Sequence, residues 1–253
     1  MNFKLEDIIQ LSIEAGKAIM DIYTDPSSDF GVEKKSDASP LTKADKASHE
    51  VIVAALEKLT PNIPILSEEG EHQGYEERSS WSQYWIIDPL DGTKEFINKN
   101  GEFTVNIALI ENRLPVLGVV YVPAKDIVYY SEVGQGAFKR ENGEDVQLEV
   151  NKNDKKIVAV RSKSHANPAE EEVFEKYGST ESISVGSSLK FCMVAEGKAD
   201  IYYRHGPTME WDTAAGQAVV MGAGGKVYAG NTEEELFLYT KKDLLNGSFL
   251  VLG

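Results

Sequence analysis

Four apolar runs, at 85–87, 103–110, 116–122 and 127–133, follow one another with short polar breaks, and a Gly134-Gln135-Gly136 turn closes the series. Short runs rich in β-branched and aromatic residues and bounded by turn formers read as strands, here of a mainly antiparallel sheet. Two helical segments precede them. Leu5, Ile8, Ile9, Ala15, Ile19 and Ile22 recur at helical spacing, and Asp25-Pro26-Ser27-Ser28 ends that helix. A polar surface loop runs on to Pro40. The second helix spans 42–59, with Ala47, Val51, Ala54, Ala55 and Leu59 expected on its inner face. Thr42 is placed as its N-cap, and Asp45 stands three residues on at the position of a capping-box acid. Both helices are expected to cover the sheet.

Past a polar, charged stretch at 141–156, read as a passage between two halves, the elements alternate. Strands are expected at 157–160, 201–203 and 225–228, and helices at 169–177, 189–196 and 213–221. That alternation implies an α/β half at 151–253 after an α+β half at 1–150. A chain of 253 residues suffices for one large domain or two smaller ones sharing an interface.

The net charge of −15 disfavours binding to a nucleic acid polymer or an anionic lipid surface. A small phosphorylated substrate remains compatible if metal ions and a few local cations reverse the potential at its site. No apolar run approaches the ~20 residues that span a bilayer, so no integral membrane segment is expected. Residues 1–10 include Glu6 and Asp7 and lack the pattern of a secretory signal. Cys192 is the only cysteine, which rules out an intrachain disulfide and fits a reducing, cytoplasmic compartment. Its expected place is the core.

The segment Asp88-Pro89-Leu90-Asp91-Gly92-Thr93-Lys94-Glu95-Phe96 directly follows a buried-looking strand. Two carboxylates three residues apart on such a turn converge on one point, Pro89 stiffens the bend, and Gly92 lets backbone approach a ligand. A helical turn starting near Gly92 adds free N–H groups, and hard divalent cations reconcile such acids with a phosphate. The alternating ligand spacing of an EF-hand is missing. Two further acidic sites sit at element ends: Ser67-Glu68-Glu69-Gly70 after the run 63–66, and Asp212 in Trp211-Asp212-Thr213-Ala214-Ala215-Gly216. Singly, each acid reads first as a turn residue, a helix cap or a solvated side chain; the three together point to a metal-assisted site.

These three segments resemble, in order and over nearly the whole chain, the signatures of the lithium-sensitive, magnesium-dependent phosphatases that include inositol monophosphatase and fructose-1,6-bisphosphatase. The resemblance implies a layered α/β/α/β/α sandwich, α+β in its first half and α/β in its second. It implies that Glu68, Asp88 and the Leu90 carbonyl bind one Mg²⁺ and that Asp88, Asp91 and Asp212 bind another, with two or three ions per site. It further implies that Thr93, paired with Asp45, activates the attacking water beside Glu68, while the N–H groups of Gly92 and Thr93 receive phosphate oxygens. Between Glu68 and Glu69 the match favours Glu68 as the ligand.

Lys94-Glu95-Phe96, followed by Asn100-Gly101-Glu102-Phe103-Thr104-Val105-Asn106, resembles the 3′(2′),5′-bisphosphate nucleotidase branch more than the inositol monophosphatases. Arg161-Ser162-Lys163-Ser164-His165, Gly186-Ser187-Ser188-Leu189-Lys190 and Arg204-His205-Gly206-Pro207-Thr208 agree. The resemblance then implies loss of the 3′-phosphate from adenosine 3′,5′-bisphosphate to leave AMP. On chemistry, Lys190 and Arg204 are suited to hold the second phosphate, small hydroxyls such as Ser164 and Ser188 and glycine N–H groups to complete an anion pocket, and His165 to contact ribose or phosphate. Lys190 alone also reads as a surface lysine, and His165 as a cap for the helix after Pro168. His49, His72 and His205 lack metal-ligand spacing. Two other functions stay open: an inositol or sugar phosphate phosphatase with the same metal site, and a non-catalytic sensor that keeps the fold. Monomer and homodimer are both compatible with the sequence, and some relatives associate with the inner face of the bacterial membrane.

Overall fold

The structure is a computed structural model that describes residues 3–34, 40–152, 156–163 and 167–253. The first helix, α1 (Leu5–Tyr23), buries Ile8, Ile9, Leu11, Ala15 and Ile19. A two-strand ribbon, β1 (Glu33–Lys34) with β2 (Pro40–Leu41), leads to α2 (Lys43–Leu59). Then come β3 (Ile65–Ser67), the short α3 (Tyr75–Arg78), β4 (Gln83–Asp91), α4 (Thr93–Ile97), β5 (Thr104–Glu111), β6 (Leu114–Val122), β7 (Ile127–Glu132), β8 (Gly136–Glu141) and β9 (Glu144–Leu148). The second part holds β10 (Ile157–Ser162), α5 (Ala169–Lys176), β11 (Ser179–Val185), α6 (Leu189–Ala195), β12 (Ile201–Arg204), α7 (Glu210–Gly222), β13 (Lys226–Ala229) and β14 (Phe249–Leu252).

One sheet has the order β3-β4-β5-β6-β7-β8-β9, the other β11-β10-β12-β14-β13. Only β3 pairs parallel to its neighbour in the first sheet; the rest of that sheet is antiparallel. Strand alternation sorts its side chains. Trp85, Ile87, Val105, Ile107, Val119 and Tyr121 pack beneath α1 and α2. Ile86, Ala108, Val120 and Val122 point the other way, onto Phe191 and Cys192 of α6, Ala215 and Val219 of α7, and Val160, Tyr202 and Val251 of the second sheet. Gly118 is what lets α7 lie so close: a Cβ there would stand 2.5 Å from the Ala218 Cβ and 2.6 Å from the Ala215 carbonyl. On the far face of the second sheet, Val173 and Phe174 of α5 pack on Ala159, Ile201, Tyr203 and Leu250. Helix pair, sheet, helix pair, sheet and helix form the expected five-layer sandwich.

Several local expectations need correction. Within 141–156, read as a passage, residues 144–148 form β9, which turns back on β8 with Arg140 opposite Asp145. Its first four residues are solvent-exposed, so no apolar alternation announces it. On α2 the buried stripe is Ala44, Asp45, Ser48, Ile52 and Leu56, while Ala54 is exposed. Polar side chains on the inner face turn it away from the apolar stripe. Helix α7 starts at Glu210, three residues earlier than expected, which places Asp212 in its first turn. Cys192 is buried, and no helix among the described residues is long and apolar enough to cross a membrane.

Candidate active site

Parallel pairing of β3 with β4 sets Ser67 beside Ile87, and the Glu68 N–H extends the ladder to the Ile87 carbonyl at 3.1 Å. Glu68 therefore emerges next to Asp88, at the ends of adjacent strands. The third acid arrives on α7: the Asp212 Oδ2 accepts the Met209 N–H at 2.7 Å. Carboxylate oxygens of Glu68, Asp88 and Asp212 all lie within 4.8 Å of one another, the one such group of possible metal ligands among the described residues. Asp88 is 1 % exposed. Burial, then the charges of Glu68, Asp91 and Asp212, push its carboxyl well above the usual range. Burial, then Asp91 and Glu68, do the same for Asp212. Desolvated hard-oxygen anions that raise one another in this way fit a hard divalent cation.

The Asp88–Asp91 turn is braced from two sides. Leu90 N–H donates to Asp88 Oδ1 at 3.0 Å, and the buried Ser48 hydroxyl of α2 donates to the Pro89 carbonyl at 2.7 Å. Gly92 then takes φ +89°, a left-handed conformation natural to glycine, and α4 begins. Thr93, its first residue, donates from Oγ1 to Asp45 Oδ1 at 3.1 Å. The other Asp45 oxygen accepts the Thr42 N–H at 2.7 Å and the Thr42 hydroxyl at 2.6 Å, the capping box expected for α2. Burial raises the Asp45 carboxyl; the Thr42 bonds oppose that rise, and the Glu69 charge adds to it.

A cavity of about 570 Å³ opens at these acids, lined by Glu68, Asp91, Gly92, Thr93, Glu95, Ser187, Ser188, Lys190, Arg204, Thr208 and Asp212 among others. Asp91 Oδ2 accepts hydroxyls from Ser187 at 2.7 Å and Ser188 at 2.8 Å, so the 186–188 loop grips the Asp88–Asp91 turn. Lys190 Nζ donates to the Ser187 carbonyl at 2.6 Å. Burial lowers the Lys190 ammonium, Asp91 opposes, and the nearby Arg204 charge lowers it further.

The inositol monophosphatase family pattern matches residues 4–251. The chain belongs to the inositol monophosphatase family. Family enzymes are metal-dependent, in keeping with the acidic cluster. The chain is 47% identical over 248 residues, 98% of each chain, to the 3′(2′),5′-bisphosphate nucleotidase CysQ of Salmonella typhimurium. It is 49% identical over 224 residues to CysQ of Escherichia coli K12, covering 88% of this chain and 89% of that one. The crystal structure of CysQ from Bacteroides thetaiotaomicron superposes with a TM-score of 0.88 at 45% identity, covering 98% of this chain and 96% of that one. An inositol monophosphatase from Thermotoga maritima gives 0.78 at 27% identity, covering 98% and 91%.

Within this family member, the residues singled out from sequence fall into distinct places. Glu68, Asp91, Gly92, Thr93, Ser188, Lys190, Arg204 and Asp212 all line the one cavity. Asp88 and Leu90 are buried, Asp88 beside the lining residues Glu68 and Asp212, and Asp45 is tied to the lining residue Thr93 by a hydrogen bond. Asp91 stands beside the Glu68–Asp88–Asp212 group rather than in it. Ser164 and His165 lie outside the described residues. Lys190 is 8 % exposed, so its reading as a surface lysine is corrected. His49 and His72 both contact Ser67, at 2.8 Å to its hydroxyl and 2.9 Å to its carbonyl, and so brace the turn that carries Glu68. Sequence reasoning passed over Ser48, because a hydroxyl aimed at a distant turn leaves no local pattern, and it placed Ser187 in a substrate loop without its bond to Asp91.

Proposed function

We propose that the chain is a Mg²⁺-dependent 3′(2′),5′-bisphosphate nucleotidase that hydrolyses the 3′-phosphate of adenosine 3′,5′-bisphosphate to leave AMP and inorganic phosphate. One observation carries this reading: the Glu68–Asp88–Asp212 cluster opens into a cavity whose wall also holds two buried cationic side chains, Lys190 and Arg204. A phosphatase for a single phosphate has no need of the second charge set; a bisphosphate does. The relatives named CysQ support the same choice.

In this reading Glu68, Asp88, Asp91, Asp212 and the Leu90 carbonyl would hold two or three Mg²⁺. Bound there, the ions supply charge against the phosphoryl oxygens and lower the pKa of water. The chain's own groups do the rest. Thr93 donates to Asp45, which leaves the Thr93 oxygen free to accept a proton from water; that proton's counterpart passes on to Asp45 Oδ1. The N–H groups of Gly92 and Thr93, at the start of α4, receive oxygens of the scissile phosphate. Lys190 and Arg204 take the 5′-phosphate by charge-assisted hydrogen bonds, with Ser188 beside them. A reducing, cytoplasmic setting suits the single buried thiol of Cys192.

The test is phosphate release from adenosine 3′,5′-bisphosphate and from inositol 1-phosphate, each with Mg²⁺ and with chelator. Preference for the nucleotide, lost on chelation, is expected. A preference for inositol phosphate, or turnover indifferent to chelator, would sink the reading.

A further inference from the structure

Asn246 comes from the irregular segment before β14, yet it is 4 % exposed and lies against the start of α7. Residues 244–246 run alongside 208–210 like a short extra strand. Glu210 N–H donates to the Leu244 carbonyl at 3.0 Å, Asn246 N–H donates to the Thr208 carbonyl at 2.8 Å, and Met209 and Leu245 form an antiparallel bridge. The Asn246 side chain adds to this. Its Nδ2 donates to the Met209 carbonyl at 2.7 Å and to Thr208 Oγ1 at 3.0 Å.

The Met209 peptide is the one that fixes Asp212. Met209 N–H donates to Asp212 Oδ2 at 2.7 Å, and the Met209 carbonyl takes the Asp212 N–H at 3.2 Å. Asn246 thus grips the residue that grips the acid. The amide orientation follows from chemistry, since a flip would set Oδ1 against the Met209 carbonyl, acceptor to acceptor. The consequence is that Asn246 Oδ1 is buried with no partner. A side chain serving only to fill space would not leave an amide oxygen stranded; the amide is retained for its two donors.

We propose that Asn246 is a positioning residue that sets the metal-facing oxygen of Asp212 through the Met209 peptide, and that it thereby tunes divalent-cation affinity without touching an ion. This rests on the reading that Asp212 is a metal ligand. Outer partners that orient a ligand change metal affinity on the order of 10–100-fold when removed.

The test is titration calorimetry of the chelator-stripped full chain with Mn²⁺ alone, alongside thermal unfolding. Asn246→Leu keeps the volume and removes both donors; Asn246→Asp keeps the shape and sets an acceptor against the Met209 carbonyl. Both are expected to bind Mn²⁺ about tenfold or more weakly. Asn151→Ala, which removes the bond from Asn151 Nδ2 to Asp200 Oδ1 at 2.7 Å, away from the cavity, is expected to loosen the fold and leave binding unchanged. Wild-type binding in whichever Asn246 variant folds overturns the proposal, and so does an equal loss in Asn151→Ala. Asp212→Asn separates the two levels. If it binds Mn²⁺ as wild type does, the metal assignment falls and this inference with it. If it loses binding while the Asn246 variants keep theirs, only the positioning role falls.

Discussion

Asp45 and Asp212 hold equivalent posts in two helices, α2 and α7. Each is the third residue of its helix, and each accepts, at 2.7 Å, the N–H of the residue just before that helix. A capping acid is ordinarily a local device worth about 1 kcal/mol to its helix. Here it also restrains the rotation of a carboxylate that has a second duty: Asp45 takes the Thr93 hydroxyl on its other oxygen, and Asp212 lies in the acidic group with Glu68 and Asp88.

That division of labour separates stability from turnover at Asp45. In Asp45→Asn, the amide oxygen still accepts the Thr42 N–H, while the amide nitrogen faces Thr93 and no longer accepts its proton. Stability is expected to change by less than about 1 kcal/mol, and kcat to fall about 10²–10⁴-fold. Urea unfolding and steady-state phosphate release measure the two. Near-wild-type kcat would remove Asp45 from the proton path.

Ser48 makes the opposite case, a buried side chain expected to matter for both. Its hydroxyl is the donor to the Pro89 carbonyl, inside the turn that offers Asp88 and the Leu90 carbonyl. Ser48→Ala leaves that carbonyl buried and unpaired, at a cost of about 1–3 kcal/mol. The loosened turn is expected to raise the Mg²⁺ concentration needed for half-maximal rate. A urea midpoint and a Mg²⁺ titration of activity check this; an unshifted titration would confine Ser48 to structure.

What could be read from the chain beforehand follows from how locally each feature is encoded. Helix α1 and strands β4 to β7 announce themselves because their partners lie above and below a continuous apolar pattern, as Ile8, Ala15, Trp85 and Ile107 show. Strands β9 and β11 do not: they edge their sheets and expose most of their residues. The acids were legible because carboxylates at strand and helix ends are unusual in company. Ser48 and Asn246 were not, since each acts on a peptide tens of residues away and resembles any surface polar residue locally.

Metal-free protein should respond to pH in a characteristic sense. Burial and mutual repulsion raise the Asp88 and Asp212 carboxyls well above their unfolded values. The native state therefore binds more protons than the unfolded chain over the interval between unfolded and folded titrations, so stability falls as pH rises through it. The contribution is fully present below the unfolded carboxylate pKa and lost above the elevated one. Bound Mg²⁺ favours the ionised acids and is expected to reverse the trend. Thermal unfolding across pH, with chelator and with Mg²⁺, isolates the effect from other carboxylates such as Glu6 and Asp145, whose downward shifts from their Arg140 hydrogen bonds are the same in both series. Parallel curves would show that the acid cluster does not bind the ion.

Lys190 tests which phosphate the second charge set serves. The side chain is nearly buried, at 8 % exposed, and desolvation already works against its charge. The protein tolerates that cost in a cavity with Asp91 and Asp212 close by, where the ammonium is held to the Ser187 carbonyl at 2.6 Å. An anion arriving beside it favours the charged form. A charged hydrogen bond of this kind contributes about 1.5–3 kcal/mol, which corresponds to roughly a 10–100-fold change in binding. Lys190→Met fills the same space without the charge. It is expected to raise KM for adenosine 3′,5′-bisphosphate by that factor while changing KM for adenosine 3′-monophosphate, which lacks the second phosphate, much less. Equal rises for both substrates would mean that Lys190 acts at the scissile phosphate or on the 186–188 loop, and that specificity for a bisphosphate must reside elsewhere in the cavity.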